Sequence, residues 1–153
     1  MKHLRKWNIR TSGLILVLCL FISLTMTSTY QAKAEAGKVL GSAQDKGITL
    51  SVNQYAIINH GQELVVYYTV ETSSAAPNHD VPSLIHRPDF SIGDRLVQGQ
   101  PKGYKKISSQ KYAGTLKVDL PQYRPAVTNV ELRTDTILNQ KGQWTVGFKI
   151  GPK

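Results

Sequence analysis

Cysteine is almost missing from this chain. The 153 residues hold one, Cys19. A single thiol excludes an internal disulfide framework and a multi-cysteine zinc site. Acidic residues are also scarce, 10 Asp+Glu against 19 Lys+Arg, for a formal net charge of +9. Long apolar runs are absent. The most apolar stretch, Gly13 to Leu24, is shorter than the roughly 20 residues that span a bilayer as a helix. No Gly-rich phosphate loop and no Gly-x-Ser-x-Gly nucleophile elbow occurs. The hydrophobic share of 41% is ordinary for a globular protein and excludes a wholly disordered chain.

What is present begins with an address. Lys2, Arg5, Lys6 and Arg10 precede the apolar run, and the polar stretch Thr25 to Ala36 follows it. Basic head, short apolar core and small-residue exit are the order of a secretory signal. Ala32-Lys33-Ala34 and Ala34-Glu35-Ala36 both offer small residues for cleavage, and a cut after Ala36 is expected. An uncleaved N-terminal membrane anchor is the alternative. Cys19 follows Leu18 and lies inside the apolar core, so it does not fit a lipobox. The expected organisation is a signal peptide over 1–36, a flexible leader over 37–46 and one domain over 47–153. A chain starting at Gly37 holds 117 residues with a net charge of +5 and no cysteine. A domain of that size can bury about two thirds of its unfolded surface and fold without a metal or disulfide.

From residue 47 onward the period is two. Ile48, Leu50 and Val52 alternate with Thr49, Ser51 and Asn53, and the pattern slips at Tyr55-Ala56-Ile57-Ile58, as a β-bulge would make it. Asn59 to Gln62 reads as a turn. Glu63 to Glu71 is dense in β-branched and aromatic residues, which predicts a central strand covered on both faces. Residues 72–88 carry Pro77, Pro82 and Pro88 and are expected to cross rather than pair. Asp89 to Val97 reads as a small hairpin on Gly93-Asp94, and 98–110 as a polar loop. Further strands are expected over 111–120, roughly 127–138, and 144–150. Trp144, Phe148, Val66, Tyr68, Leu64, Ile48, Leu50, Leu116 and Val130 are the expected core. About seven short strands with regularly spaced turns predict an antiparallel β-sandwich, with a small barrel as the runner-up.

Several segments carry a resemblance: Gly47-Ile48-Thr49-Leu50-Ser51-Val52-Asn53, Glu63 to Glu71, Pro88 to Asp94, Tyr112 to Leu116 and Gly142 to Val146. Together they resemble an uncharacterised bacterial domain family. Its members often sit outside the membrane in anti-sigma-factor-like proteins of spore-forming Gram-positive bacteria. The resemblance implies an immunoglobulin-like sandwich in an extracytoplasmic place, and it supplies no catalytic residues. About twelve residues precede the apolar run. That is too few for a sigma-binding domain, so sigma-factor binding is not expected.

Candidates for chemistry are few. His79 and His86 share a loop with Asp80 and Asp89, a ligand set for a transition metal, though at no fixed metal spacing. Ser83 with His86 and Asp89 has the residue types of a serine hydrolase. Glu63, Glu71 and Glu131 are the carboxylates available for glycoside cleavage. Each is more simply a solvated loop or strand-face residue, as is His60 in its turn. A small hydrolase or metal-dependent enzyme using the 79–89 loop is the minor alternative; no enzyme activity and no cofactor is expected.

The basic surplus points elsewhere. Lys102, Lys105, Lys106 and Lys111 cluster around Tyr104 and Tyr112. Such a patch suits a polyanion, and outside a Gram-positive cell that is wall teichoic acid rather than nucleic acid. The competing and plainer reading is a solubilising loop whose lysines guard an edge strand. The expectation is therefore a secreted, non-enzymatic binding module of the cell envelope. Its partner would be a wall polyanion or a membrane-protein ectodomain, and membrane contact would be transient, through the signal segment.

Overall fold

A computed structural model describes residues 38–74 and 81–151. The expected signal-peptide helix lies outside them. The described residues form nine strands: β1 (Gly41–Asp45), β2 (Ile48–Ile58), β3 (Glu63–Thr72), β4 (Asp89–Ile92), β5 (Arg95–Gln98), β6 (Gln100–Lys106), β7 (Lys111–Asp119), β8 (Thr128–Ile137) and β9 (Gln140–Ile150). Every pairing is antiparallel. One sheet has the order β1-β2-β3-β7-β6 and the other β5-β4-β8-β9. Lettered from β2 as A, the sheets read A-B-E-D and C′-C-F-G. That is the strand order of an immunoglobulin-like sandwich with a C′ strand, and β1 is an extra strand outside A.

Alternation explains the two layers. Leu64, Val66, Tyr68 and Val70 of β3 point inward beside Leu116 and Val118 of β7. They face Phe90, Ile92, Val130, Leu132, Val146 and Phe148 of the other sheet, all buried. All the residues expected in the core are there. Trp144 is 1% exposed, and its indole Nε1 donates to the Ile48 carbonyl at 2.9 Å, tying the last strand to the first sheet. β3 is central as expected but is covered on one face only. Its outward residues Val65, Tyr67 and Thr69 are half-buried by their neighbours on the same face.

Two strands depart from the sequence reading, which placed a leader over 37–46 and a loop over 98–110. Gly41–Asp45 is β1. It pairs with β2 from Gly41 opposite Val52 to Asp45 opposite Ile48. It also lies against β9: Asp45 Oδ2 accepts the Gln143 N–H at 2.8 Å, and Lys46 carbonyl accepts Gln140 Nε2 at 3.1 Å. Gly41 sits directly on the Gly147 backbone, where a Cβ would overlap the Gly147 carbonyl. β1 has little strand propensity of its own; the free edge of β2 supplies its pairing. Likewise Gln100–Lys106 is β6, the opposite edge of the same sheet, paired to β7 with a shift between Pro101 and Gly103. An edge strand needs neither a continuous apolar face nor every backbone donor, so Pro101 and the lysines are tolerated. The bulge expected near Tyr55 falls slightly earlier, between Val52 and Gln54.

Residues 81–88 cross between the sheets as expected, but they also enter the core. Leu84 and Ile85 are buried, and Ile85 bridges to Ile137.

Candidate interaction surfaces

The four lysines grouped by the sequence separate in the fold. Lys102, Lys105 and Lys106 stand exposed on edge strand β6. Lys102 Nζ donates to Gln100 Oε1 at 3.1 Å, and none of these three enters an ion pair among the described residues. Lys111 belongs to β7 and is committed to Glu71 across the β3–β7 pair, 2.6 Å away. The interleaved aromatics face inward. Tyr112 is buried, and Tyr104 donates its hydroxyl to the Val81 carbonyl at 2.7 Å while meeting the Tyr112 ring edge-on at 6.3 Å. The patch is therefore three exposed cations on one edge strand, without a stacking platform.

The carboxylates singled out by sequence are each held by a cation. Glu63 pairs with Lys117 at 2.5 Å and also accepts Asn59 Nδ2; Glu71 pairs with Lys111; Glu131 pairs with Arg133 two residues along the same strand. The Glu71 and Glu131 pairs are solvent-exposed and contribute little, on the order of 0–1 kcal/mol, whereas Glu63 and Lys117 are more shielded.

The Ser83, His86 and Asp89 grouping does not assemble. Ser83 Oγ donates to the Ile85 carbonyl at 2.6 Å, closing a local turn. His86 is exposed, and its backbone, not its ring, is engaged: the N–H donates to Thr136 and the carbonyl accepts the Thr134 hydroxyl. Asp89 starts β4, in register with Arg133. His79 and Asp80 lie outside the described residues, and among those described no three His, Cys, Asp or Glu gather as a metal site. His60 sits exposed in the β2–β3 turn with positive φ.

One ionisation is displaced by the fold. Burial, assisted by the nearby Tyr104, pushes the Tyr68 phenol well above its ordinary range. Tyr68 is a core residue, 2% exposed, so the shift reports packing rather than a reactive site.

Sequence reasoning did not single out the outward face of β4, β8 and β9. It carries two shallow concavities. The larger, about 650 Å³, is bordered by Lys38, Leu40, Ser91, Asn129, Glu131 and Lys149. The smaller, about 350 Å³, lies beside Arg87, Asp89, Arg133 and Thr145. No signal in the sequence marks this face. Asn129, Glu131, Arg133 and Asp135 alternate with apolar residues as on any solvated strand.

The fold and surfaces together define an all-β sandwich of immunoglobulin-like strand order, presenting a cationic edge and two concavities. No family model and no characterised protein matches the sequence. Among solved structures, the chain is similar to the crystal structure of the conserved domain protein from Bacillus anthracis, with a TM-score of 0.58 and 18% identity. The match covers 86% of this chain and 47% of that one, so this chain spans about half the length of its structural neighbour.

Proposed function

We propose that this protein is an exported, non-enzymatic binding module of a bacterial cell envelope, and that strand β6 is where it meets a polyanion. The family resemblance belongs to the same reading, with the sandwich as an extracytoplasmic domain. One observation carries the binding surface: Lys102, Lys105 and Lys106 stand exposed along one edge without an ion-pair partner among the described residues. The order of basic head, apolar run and small-residue exit in 1–36 supports export, and the lack of cysteine beyond Cys19 is consistent with it. A linear polyanion such as teichoic acid, with a phosphate repeat, could lie along the edge without a deep pocket.

The test is retention on isolated walls through a salt series. With three contacts and a slope of about −0.7 per charge, a fourfold rise in salt weakens binding roughly twentyfold. Replacing Lys102, Lys105 and Lys106 together by Gln abolishes most of that dependence. Walls stripped of teichoic acid retain little of the parent protein. Retention that persists at high salt contradicts the electrostatic reading, since exposed charges are screened there.

A further inference from the structure

Of the ion pairs among the described residues, that of Glu63 with Lys117 is the least exposed, at 16% and 29% of the two side chains. It also has a third member. Glu63 Oε1 meets Lys117 Nζ at 2.5 Å, and Glu63 Oε2 accepts Asn59 Nδ2 at 2.5 Å. One carboxylate therefore holds an amine on one oxygen and a primary amide on the other. Three elements bring these groups together. Asn59 opens the turn after β2 with positive φ, and its carbonyl accepts the Gln62 N–H at 3.1 Å. Glu63 starts β3, and Lys117 stands on β7 opposite Val65. Val65 is half-buried and Ile58 lies opposite Glu63, so the cluster has apolar neighbours on its own sheet face.

Amine, carboxylate and amide in this order are a nucleophile, a proton carrier and an electrophile. An ammonium does not attack until it loses a proton, and Glu63 is within reach to take it. An amide nitrogen does not leave until it gains a proton, and the same carboxylate is within reach of Asn59 Nδ2.

We propose that Lys117 and Asn59 join as an intramolecular side-chain amide, with Glu63 carrying the protons. Lys117 Nζ passes one proton to Glu63, and its freed lone pair attacks Asn59 Cγ. Glu63 delivers that proton to Nδ2 and takes a second from Nζ as the Cγ–Nδ2 bond breaks. The Nζ–Cγ amide remains. The departing ammonia takes the last proton from Glu63 and leaves as ammonium. Neither an oxidant nor a reductant enters the balance.

The new bond would tie the β2–β3 turn to β7 across β3. A cross-link between residues distant in sequence stabilises by restricting the unfolded chain. The sequence from Gly37 onward holds no cysteine, so no disulfide supplies that restriction. The inference depends neither on the lysines of β6 nor on export.

The experiment is intact-mass analysis of the purified full chain, followed by tryptic mapping. The expected mass is one ammonia below that of the sequence. Trypsin is expected to leave Lys117 uncut and to release it joined to the peptide that holds Asn59. Glu63→Gln keeps the size of the side chain but cannot take the amine's proton. Lys117→Arg keeps the charge but removes the amine. Each variant is expected to show its full sequence mass. A parent chain still at full sequence mass after days at neutral pH overturns the proposal. So does an ammonia loss confined to the Asn59 peptide, which marks a cyclic imide rather than a cross-link, or a joined peptide that persists in Glu63→Gln.

Discussion

Tyr68 shows how a single residue ties chemistry to stability. Burial favours its neutral phenol, so its folded ionisation lies above the unfolded value of about 10. The folded state then holds its proton where the unfolded state has lost it. The stability this contributes is fully present below about pH 10 and is lost as pH rises beyond that, toward the folded ionisation. Tyr68→Phe is expected to make the alkaline fall of the melting temperature shallower; an unchanged slope would contradict the assignment. Gly114 is the neighbour that makes this packing possible. A Cβ there would overlap the Tyr68 ring, so Gly114→Val is expected to cost about 1–3 kcal/mol, read as a lower urea midpoint at constant slope. The core was legible at this scale, because Trp144, Val66 and Leu116 sit in clean alternation. The candidate site was less so. Four lysines close in sequence fall on two strands, and only the strand pairing reveals that Lys111 is neutralised by Glu71. Tyr104 and Tyr112 look like binding aromatics until the register turns them inward.

Edge strands are the elements that sequence patterning does not show. β2, β3, β7, β8 and β9 announce themselves through an alternating apolar face. β1 and β6 have almost none, and they exist because a neighbouring strand offers unpaired backbone groups. Their chemistry suits an edge: β1 has five residues, and β6 carries Pro101, a register shift and Lys102, Lys105 and Lys106. Each of these features discourages pairing with another chain. The lysines thus serve solubility whether or not a polyanion binds them. Replacing all three by Thr, rather than Gln, raises strand propensity as it removes charge, and concentration-dependent association measured by light scattering is the expected result. β1 has a second anchor in Asp45, which receives the Gln143 N–H from the other sheet. Asp45→Ala is expected to cost about 1 kcal/mol, given the exposure of the bond. Amide exchange should accelerate in β1 and at Gln143 before it changes in β3 or β8. Uniform acceleration through the domain would show that β1 is not an independent latch.

At the scale of the domain, exposed apolar side chains are dispersed: Leu40 lies beside the middle of β2, Leu96 is on β5, and Tyr123 and Val127 are on the β7–β8 connection. The interior is one hydrophobic cluster shared by both sheets. Unfolding is therefore expected to be a single cooperative step, with coincident transitions by Trp fluorescence and far-ultraviolet circular dichroism. Fold class was legible because period-two patterning repeats along the chain. We propose that the sandwich is exported and held in the envelope by its cationic edge. Fractionation of the native host, with intact-mass analysis and stepwise salt extraction, tests it most directly. A wall-associated species beginning near Gly37, released by moderate salt, is the expected result. A cytosolic species retaining residues 1–36, or a wall species that salt does not release, would contradict it.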